Sequence, residues 1–155
     1  ATNENRPVVD FLATGSWEPK PTQETLATAM DVGDPSNMER LRHHWPTIEG
    51  VRGQVEAERI ADDEIELQIR RGLDVWDTVW DPHTATAAAV REQRDTPHWV
   101  LVATAHPAKF DTVVEPLIGE TVPVPEALQA VMQRSTPAPL IEPTMDAFRE
   151  AVLAG

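Results

Sequence analysis

The sequence predicts an α/β fold, parallel-sheet strands with flanking helices, and three observations predict it. An apolar run, Trp99-Val100-Leu101-Val102-Ala103, ends in the hydroxyl residue Thr104, and Pro107 then breaks the chain. That is the form of a buried strand delivering one polar side chain to the edge of a sheet. Helix-start signals stand before and after this run, at Asp81-Pro82 and at Pro107. The order along the chain therefore reads strand, helices, strand, helices. In open α/β sheets ligands bind outside the carboxyl ends of the strands, which places Thr104 where a ligand can be touched.

The elements follow in order. Residues 1–3 have the form of a strand end whose beginning is missing. Pro7 suits the first position of a helix through Val8-Val9-Asp10-Phe11-Leu12, closed by Gly15. Ser16 to Pro21 is a proline-framed loop, and the weak alternation of Thr25 to Val32 suits an extended piece. Ser36-Asn37-Met38-Glu39 has the form of a capping box, so a helix is expected to about His44, where Pro46 blocks continuation. Asp62-Asp63-Glu64 and Arg70-Arg71 place charges of the right sign at the two ends of a second helix. Its expected buried stripe is Ile65, Ile69 and Leu73, with Gly72 as its stop.

A third helix starts at Asp81-Pro82, and its small residues from Ala85 to Val90 allow close packing on a sheet. Thr96-Pro97 breaks it ahead of the strand. Pro107 opens a helix toward Val114, and Pro123 and Pro125 bracket a short extended piece. Glu126 to Gln133 and Met145 to Leu153 have the pattern of terminal helices. No internal repeat or low-complexity block interrupts this order.

Composition bounds the function. A length of 155 residues suits one domain or a large part of one. Proline is high, 14 of 155, against about 5% in ordinary chains, and most prolines stand at visible breaks. With 26 acidic and 13 basic residues the net charge is −13, so nucleic acid and anionic membrane are poor partners. No apolar run approaches the roughly 20 residues that span a bilayer, and no signal peptide is visible. The absence of cysteine removes disulfides, thiolate nucleophiles and cysteine zinc sites, and fits a cytoplasmic setting. Ala1 opens in mid-pattern, as a fragment or a processed start would.

Three segments also resemble one known family. Val102-Ala103-Thr104-Ala105-His106-Pro107-Ala108-Lys109-Phe110 closely resembles a segment of the threonine synthases, pyridoxal-phosphate (PLP) enzymes of fold type II. Ala1-Thr2-Asn3 resembles the family's Ala-Thr-Asn strand end. Thr25-Leu26-Ala27-Thr28-Ala29-Met30-Asp31-Val32-Gly33-Asp34-Pro35-Ser36-Asn37 resembles its Ala-Met-Asp-Val-Gly-x-Pro-Ser-Asn segment. Asp81-Pro82-His83-Thr84-Ala85 and Gly119-Glu120-Thr121 are weaker echoes in the same order. The resemblance implies the C-terminal part of such an enzyme over residues 1–155, with the catalytic N-terminal portion absent. It implies conversion of O-phospho-L-homoserine and water to L-threonine and phosphate. A phospholyase with the same cofactor, and a non-catalytic domain binding a ligand or a partner, are the two other readings.

By that resemblance, Thr104 is the cofactor-binding residue, its hydroxyl meeting the pyridine nitrogen of PLP. An aspartate there would hold the nitrogen protonated; a hydroxyl leaves it near neutral and tempers the ring as an electron sink. The other reading of Thr104 is a hydroxyl bonding its own backbone at a strand end. No residue here is assigned as catalytic. His106 could be a general base or a turn-fixing loop residue. Lys109 and Lys20 are the only lysines, and neither has the setting of a Schiff-base lysine. In the family that lysine and the Gly-rich phosphate loop lie upstream of the matched region, so the chain supplies one wall of a site and needs the N-terminal portion as its partner.

Asn3 could project into the site, while Asp31 and Asn37 could cap and brace their loop. Asn5-Arg6 stands where the family has Asn-Asp, and Thr28 and Asp34 also depart from its usual residues. His43-His44 and His83 lack metal-ligand spacing, and Trp76 and Trp80 suit core filling. A strand without its sheet neighbour would leave an open edge, so self-association is expected of this piece alone.

Overall fold

The computed structural model describes residues 1–134 and 140–153. Two units emerge, residues 1–123 and 124–155.

Unit 1 begins with α1 (Pro7–Thr14), which has Pro7 in its first turn and ends at Gly15 in the left-handed region, φ 78°. The sequence predicted both ends. α2 (Met38–His44) also lies where expected, but no side chain caps it, so the Ser36 capping box is not formed. Beyond Pro46 comes α3 (Ile48–Arg52), whose cap Thr47 accepts a hydrogen bond from Gly50 N at 3.2 Å. Five residues are too few to leave a periodic signature, so this helix was not legible. Phe11, Met38 and Val51 form a small core among these helices, closed by Leu12, Trp17 and Trp45. Arg52 fastens α3 to the end of α1 by donating to Leu12 O (2.7 Å) and Ala13 O (3.0 Å).

The second core lies between α4 (Asp62–Trp76), α5 (Pro82–Glu92) and α6 (Asp111–Ile118). α4 buries Ile65, Gln68, Ile69 and Gly72, whereas Leu73 is exposed, so the expected stripe is turned by one residue at its end. Gly72 does not stop the helix. It lies inside, where an added Cβ would come within 2.5 Å of Thr78 O and 2.9 Å of Trp80 Cδ1. The helix stops at Asp77, φ 50°, instead. α5 begins as its sequence predicts, with Asp81 as cap and Pro82 behind it, and buries Ala85, Ala88 and Ala89. These small residues bring it close to helix α4 rather than to a sheet.

The parallel sheet is the main correction. Among the described residues there is no strand, only an isolated parallel bridge between Thr2 and Arg59. Residues 25–32 hold a 3-10 turn at Thr28–Met30 rather than an extended piece. The run Trp99–Ala103 is irregular and open to solvent, with Val100 88% and Val102 71% exposed. A strand requires a neighbour to take up its N–H and C=O groups. None stands beside residues 96–104, so strong β propensity yields no ladder. The helix expected from Pro107 is a 3-10 turn (Pro107–Lys109) followed by α6, which contains Pro116 and ends at Gly119, φ 75°.

Unit 2 contains α7 (Glu126–Met132) and α8 (Met145–Leu153), both at the expected positions. Met145, Phe148 and Val152 share one face of α8 and are all exposed. No helix among the described residues is long and apolar enough to cross a membrane.

Candidate functional site

Three segments converge on one region of unit 1: the N-terminal turn of α5, the loop 25–31, and the turn after Thr104. The first is built on Asp81. Its Oδ1 accepts from His83 N (3.0 Å) and Thr84 N (3.3 Å), and its Oδ2 accepts from the Thr84 hydroxyl. These bonds satisfy amides that the helix start leaves open. The His83 ring then folds back, placing Nδ1 3.0 Å from Asp81 Oδ1. Its Nε2 accepts from Ala29 N at 2.9 Å. An atom that accepts an amide proton carries none of its own, so Nδ1 holds the ring's N–H and donates it to Asp81. The ring also packs on Phe110, with centroids 4.8 Å apart. His83 thereby joins α5, the Thr28–Met30 turn and the start of α6.

The loop 25–31 is fixed by a second buried network. Asn3, fully buried, donates from Nδ2 toward Thr25 Oγ1 (2.6 Å), Ala27 O (3.2 Å) and Asp31 Oδ1 (2.7 Å). Its Oδ1 accepts from Asn5 N at 2.9 Å. Asp31 also accepts from Asn5 Nδ2 (3.1 Å), Thr25 Oγ1 (2.7 Å) and Thr25 N (3.0 Å). Asn3 is thus spent on bracing, and Asp31 is the hub of the brace. Asn37 precedes α2, exposed and without a capping bond.

The third segment carries Thr104. Ala103 and Ala105 line a cleft of about 430 Å³ whose other wall includes Trp80, Asp81, Thr84 and Val122. Thr104, between them, does not line it and is exposed. Among the described residues its hydroxyl makes no hydrogen bond, so the side chain is not folded onto its own backbone. His106 Nδ1 accepts from Ala108 N at 3.2 Å and so caps the 3-10 turn. Lys109 is exposed on that turn, and Lys20 is paired with Asp10. His43 and His44 lie exposed on α2, rings 5.5 Å apart. Among the described residues no group of three His, Asp or Glu could hold a metal.

Of the departures from the family pattern, Thr28 lies in the loop 25–31 of this convergence, and Arg6 and Asp34 lie outside it. Arg6 pairs with Asp10 (3.4 Å), Asp34 accepts from Trp17 Nε1 (3.2 Å), and Thr28 is exposed. Trp76 ends α4 and Trp80 follows it in the loop, so they do not share a helical face; their rings meet edge-on at 6.0 Å. The feature that sequence reasoning missed is His83. Its cap partner lies two residues upstream and could have been read from Asp-Pro-His-Thr. Its other partner, Ala29, lies 54 residues away.

Comparison with known proteins points to one family. A family model described as threonine synthase, C-terminal, matches residues 83–152. The threonine synthase of Escherichia coli K12 is 40% identical over 135 residues, covering 83% of this chain and 30% of that protein. That of Serratia marcescens is 36% identical over the same shares. The chain is similar to the threonine synthases. It matches the C-terminal portion and spans about three tenths of the length of these relatives. Solved threonine synthases share its architecture. The Escherichia coli structure superposes with a TM-score of 0.78 at 30% identity, covering 99% of this chain and 36% of its own. A PLP-bound threonine synthase from Brucella melitensis gives 0.75 at 27% identity, covering 98% and 39%.

Proposed function

We propose that this chain is the C-terminal wall of a PLP-dependent threonine synthase that converts O-phospho-L-homoserine and water to L-threonine and phosphate in the cytoplasm. The single observation that carries the reading is the state of Thr104. Its hydroxyl is exposed, unbonded among the described residues, and held on a segment whose flanking alanines face inward to the cleft. Such a hydroxyl fits a pyridine nitrogen, to which it can donate one hydrogen bond without adding charge. PLP supplies the electron sink for carbanions formed on the substrate.

The part of this chain is to place and tune. Thr104 would hold the pyridine nitrogen of PLP by a hydrogen bond and leave it near neutral. The cap formed by His106 holds the turn behind Thr104, and the Asn3–Asp31 brace holds the neighbouring loop. The remaining groups must come from elsewhere. Lys20 is engaged by Asp10 and Lys109 stands in solvent, so neither fits as the Schiff-base lysine. An N-terminal portion supplies that lysine and the phosphate loop, and its sheet receives residues 99–103 as a strand. The bare valines of that segment support this pairing.

Thr104→Val in the complete enzyme tests the reading. One lost hydrogen bond of about 1.4 kcal/mol lowers turnover about tenfold, with a shift in cofactor absorbance. Wild-type absorbance and turnover would remove Thr104 from the site. Phosphate release with threonine detection checks the outcome of the reaction: phosphate without threonine would make the enzyme a phospholyase.

A further inference from the structure

His83 is more buried and better partnered than a histidine filling core needs to be. Both ring nitrogens are engaged, one by the Asp81 carboxylate that caps its own helix and one by the Ala29 amide. The Ala29 N–H is an open donor at the start of a 3-10 turn, and no apolar side chain could receive it. The ring face is taken by Phe110. One side chain therefore fixes the spacing between the Thr28–Met30 turn and the turn that follows Thr104.

The connection to Thr104 is short. Phe110 begins α6, and Ala108, buried just before it, donates to His106. Asp81 and Thr84 form one wall of the cleft, and Ala103, Ala105 and Pro107 form the other. The contact that couples them is the His83 ring on Phe110, through which a tilt of the first turn of α5 is passed to the turn that follows Thr104. We propose that His83, oriented by Asp81, is a positioning residue that sets where the Thr104 hydroxyl stands relative to the cofactor ring. This rests on the reading of Thr104 given above. His83 itself touches neither cofactor nor substrate; it acts through the two turns it joins.

The test is a double-mutant cycle in the complete enzyme. It is read by cofactor absorbance and by titration of the apoenzyme with PLP, alongside kcat and KM. His83→Phe keeps the aromatic packing and loses both polar bonds. It is expected to weaken PLP binding about tenfold, the worth of one hydrogen bond, and to move the absorbance in the same direction as Thr104→Val. Combined with Thr104→Val it adds little, because both changes remove the same contact. His83→Gln, long enough to donate to Asp81 and accept from Ala29, restores the wild-type spectrum.

A purely structural role would lower the melting temperature of His83→Phe and leave absorbance and PLP affinity as in wild type; that result overturns the proposal. Full additivity with Thr104→Val overturns it as well. Should His83→Phe fail to fold, His83→Asn takes its place. The shorter amide loses Ala29, so behaviour equal to that of His83→Gln counts against the clip. A silent Thr104→Val removes the cofactor reading and this proposal together. A Thr104→Val that shifts absorbance and weakens PLP binding beside a silent His83→Phe removes this proposal alone.

Discussion

Asn3, with none of its surface exposed, is bonded through both ends of its amide, while Val100 has 88% of its surface in solvent. The usual preference is inverted: a polar residue is the best-buried point of one region, and a valine is the barest point of the other. Around Asn3 the partners are all within the chain, at Thr25, Ala27, Asp31 and Asn5. That region is complete in itself. Around residues 99–104 the backbone has no ladder, and Trp99, Val100 and Val102 are exposed while Leu101 is half-buried. A region of this composition is finished only by something outside it. The contrast teaches that the bracing of the site is made within this chain, while the closing of the site belongs, in the proposed function, to an N-terminal portion.

The largest expected effect breaks the self-sufficient side. Asp31→Ala withdraws the acceptor for Asn3, Asn5 and both donors of Thr25. Asn3 Nδ2 keeps Thr25 Oγ1 and Ala27 O, and Asn5 Nδ2 keeps Gln23 O, so the two Thr25 donors are the ones left without an acceptor, each costing about 1–3 kcal/mol in full burial. Asp31 is only half-buried, so water recovers part of this, and a net loss of about 3 kcal/mol is expected in urea unfolding. A loss under about 1 kcal/mol would mean that solvent already satisfies the network.

Much of this was legible in the sequence, and the rest was hidden for definite reasons. Pro7, Gly15, Asp81 and Pro82 act through bonds within a turn or two, so their helix ends could be read directly. The Thr104 segment was recognised from its residue types and from its resemblance. Its strand was not realised, because strand formation depends on a partner and not on propensity alone. Gly72 misled because the local rule for glycine is a helix stop, while the determining contact comes from Thr78 and Trp80 across a turn. His83 was passed over because its partners Ala29 and Phe110 lie far along the chain, in both directions.

Gly72→Ala comes next in size. In an open helix this change stabilises by up to about 1 kcal/mol, since glycine costs entropy there. Here the new methyl would lie 2.5 Å from a backbone oxygen that a flexible side chain cannot vacate. Overpacking of this kind costs about 1–3 kcal/mol, so the net sign reverses to a loss of about 2 kcal/mol in thermal or urea unfolding. A stabilised variant would show that the loop 77–80 yields freely, and that the Trp80 wall of the cleft is soft.

The open side responds differently. Val100→Lys with Val102→Lys removes two exposed apolar groups and adds charge to an unpaired edge. The stability of this chain is expected to change by less than about 0.5 kcal/mol, as at other exposed positions. Its self-association, followed by light scattering, is expected to fall. Under the proposed pairing of residues 99–103, the same pair of lysines is expected to destabilise the complete enzyme strongly. Equal behaviour of the short chain and the complete enzyme would dissolve the distinction between the two regions.

The smallest effect probes the one trace of a sheet. Thr2 and Arg59 form the parallel bridge, through Thr2 N to Glu58 O and Ile60 N to Thr2 O at 2.9 and 2.8 Å. Above it Arg59 holds Glu4 with two bonds, of 2.9 and 2.5 Å, at a half-exposed position. A pair of that exposure is worth less than about 1 kcal/mol and is screened by salt. Arg59→Ala is therefore expected to lower stability slightly at low ionic strength and hardly at all in molar salt. A larger, salt-independent loss would mean that Arg59 aligns the bridge itself. The 1–5 segment, and with it Asn3, would then depend on an outer contact, and the self-contained region would extend to the surface.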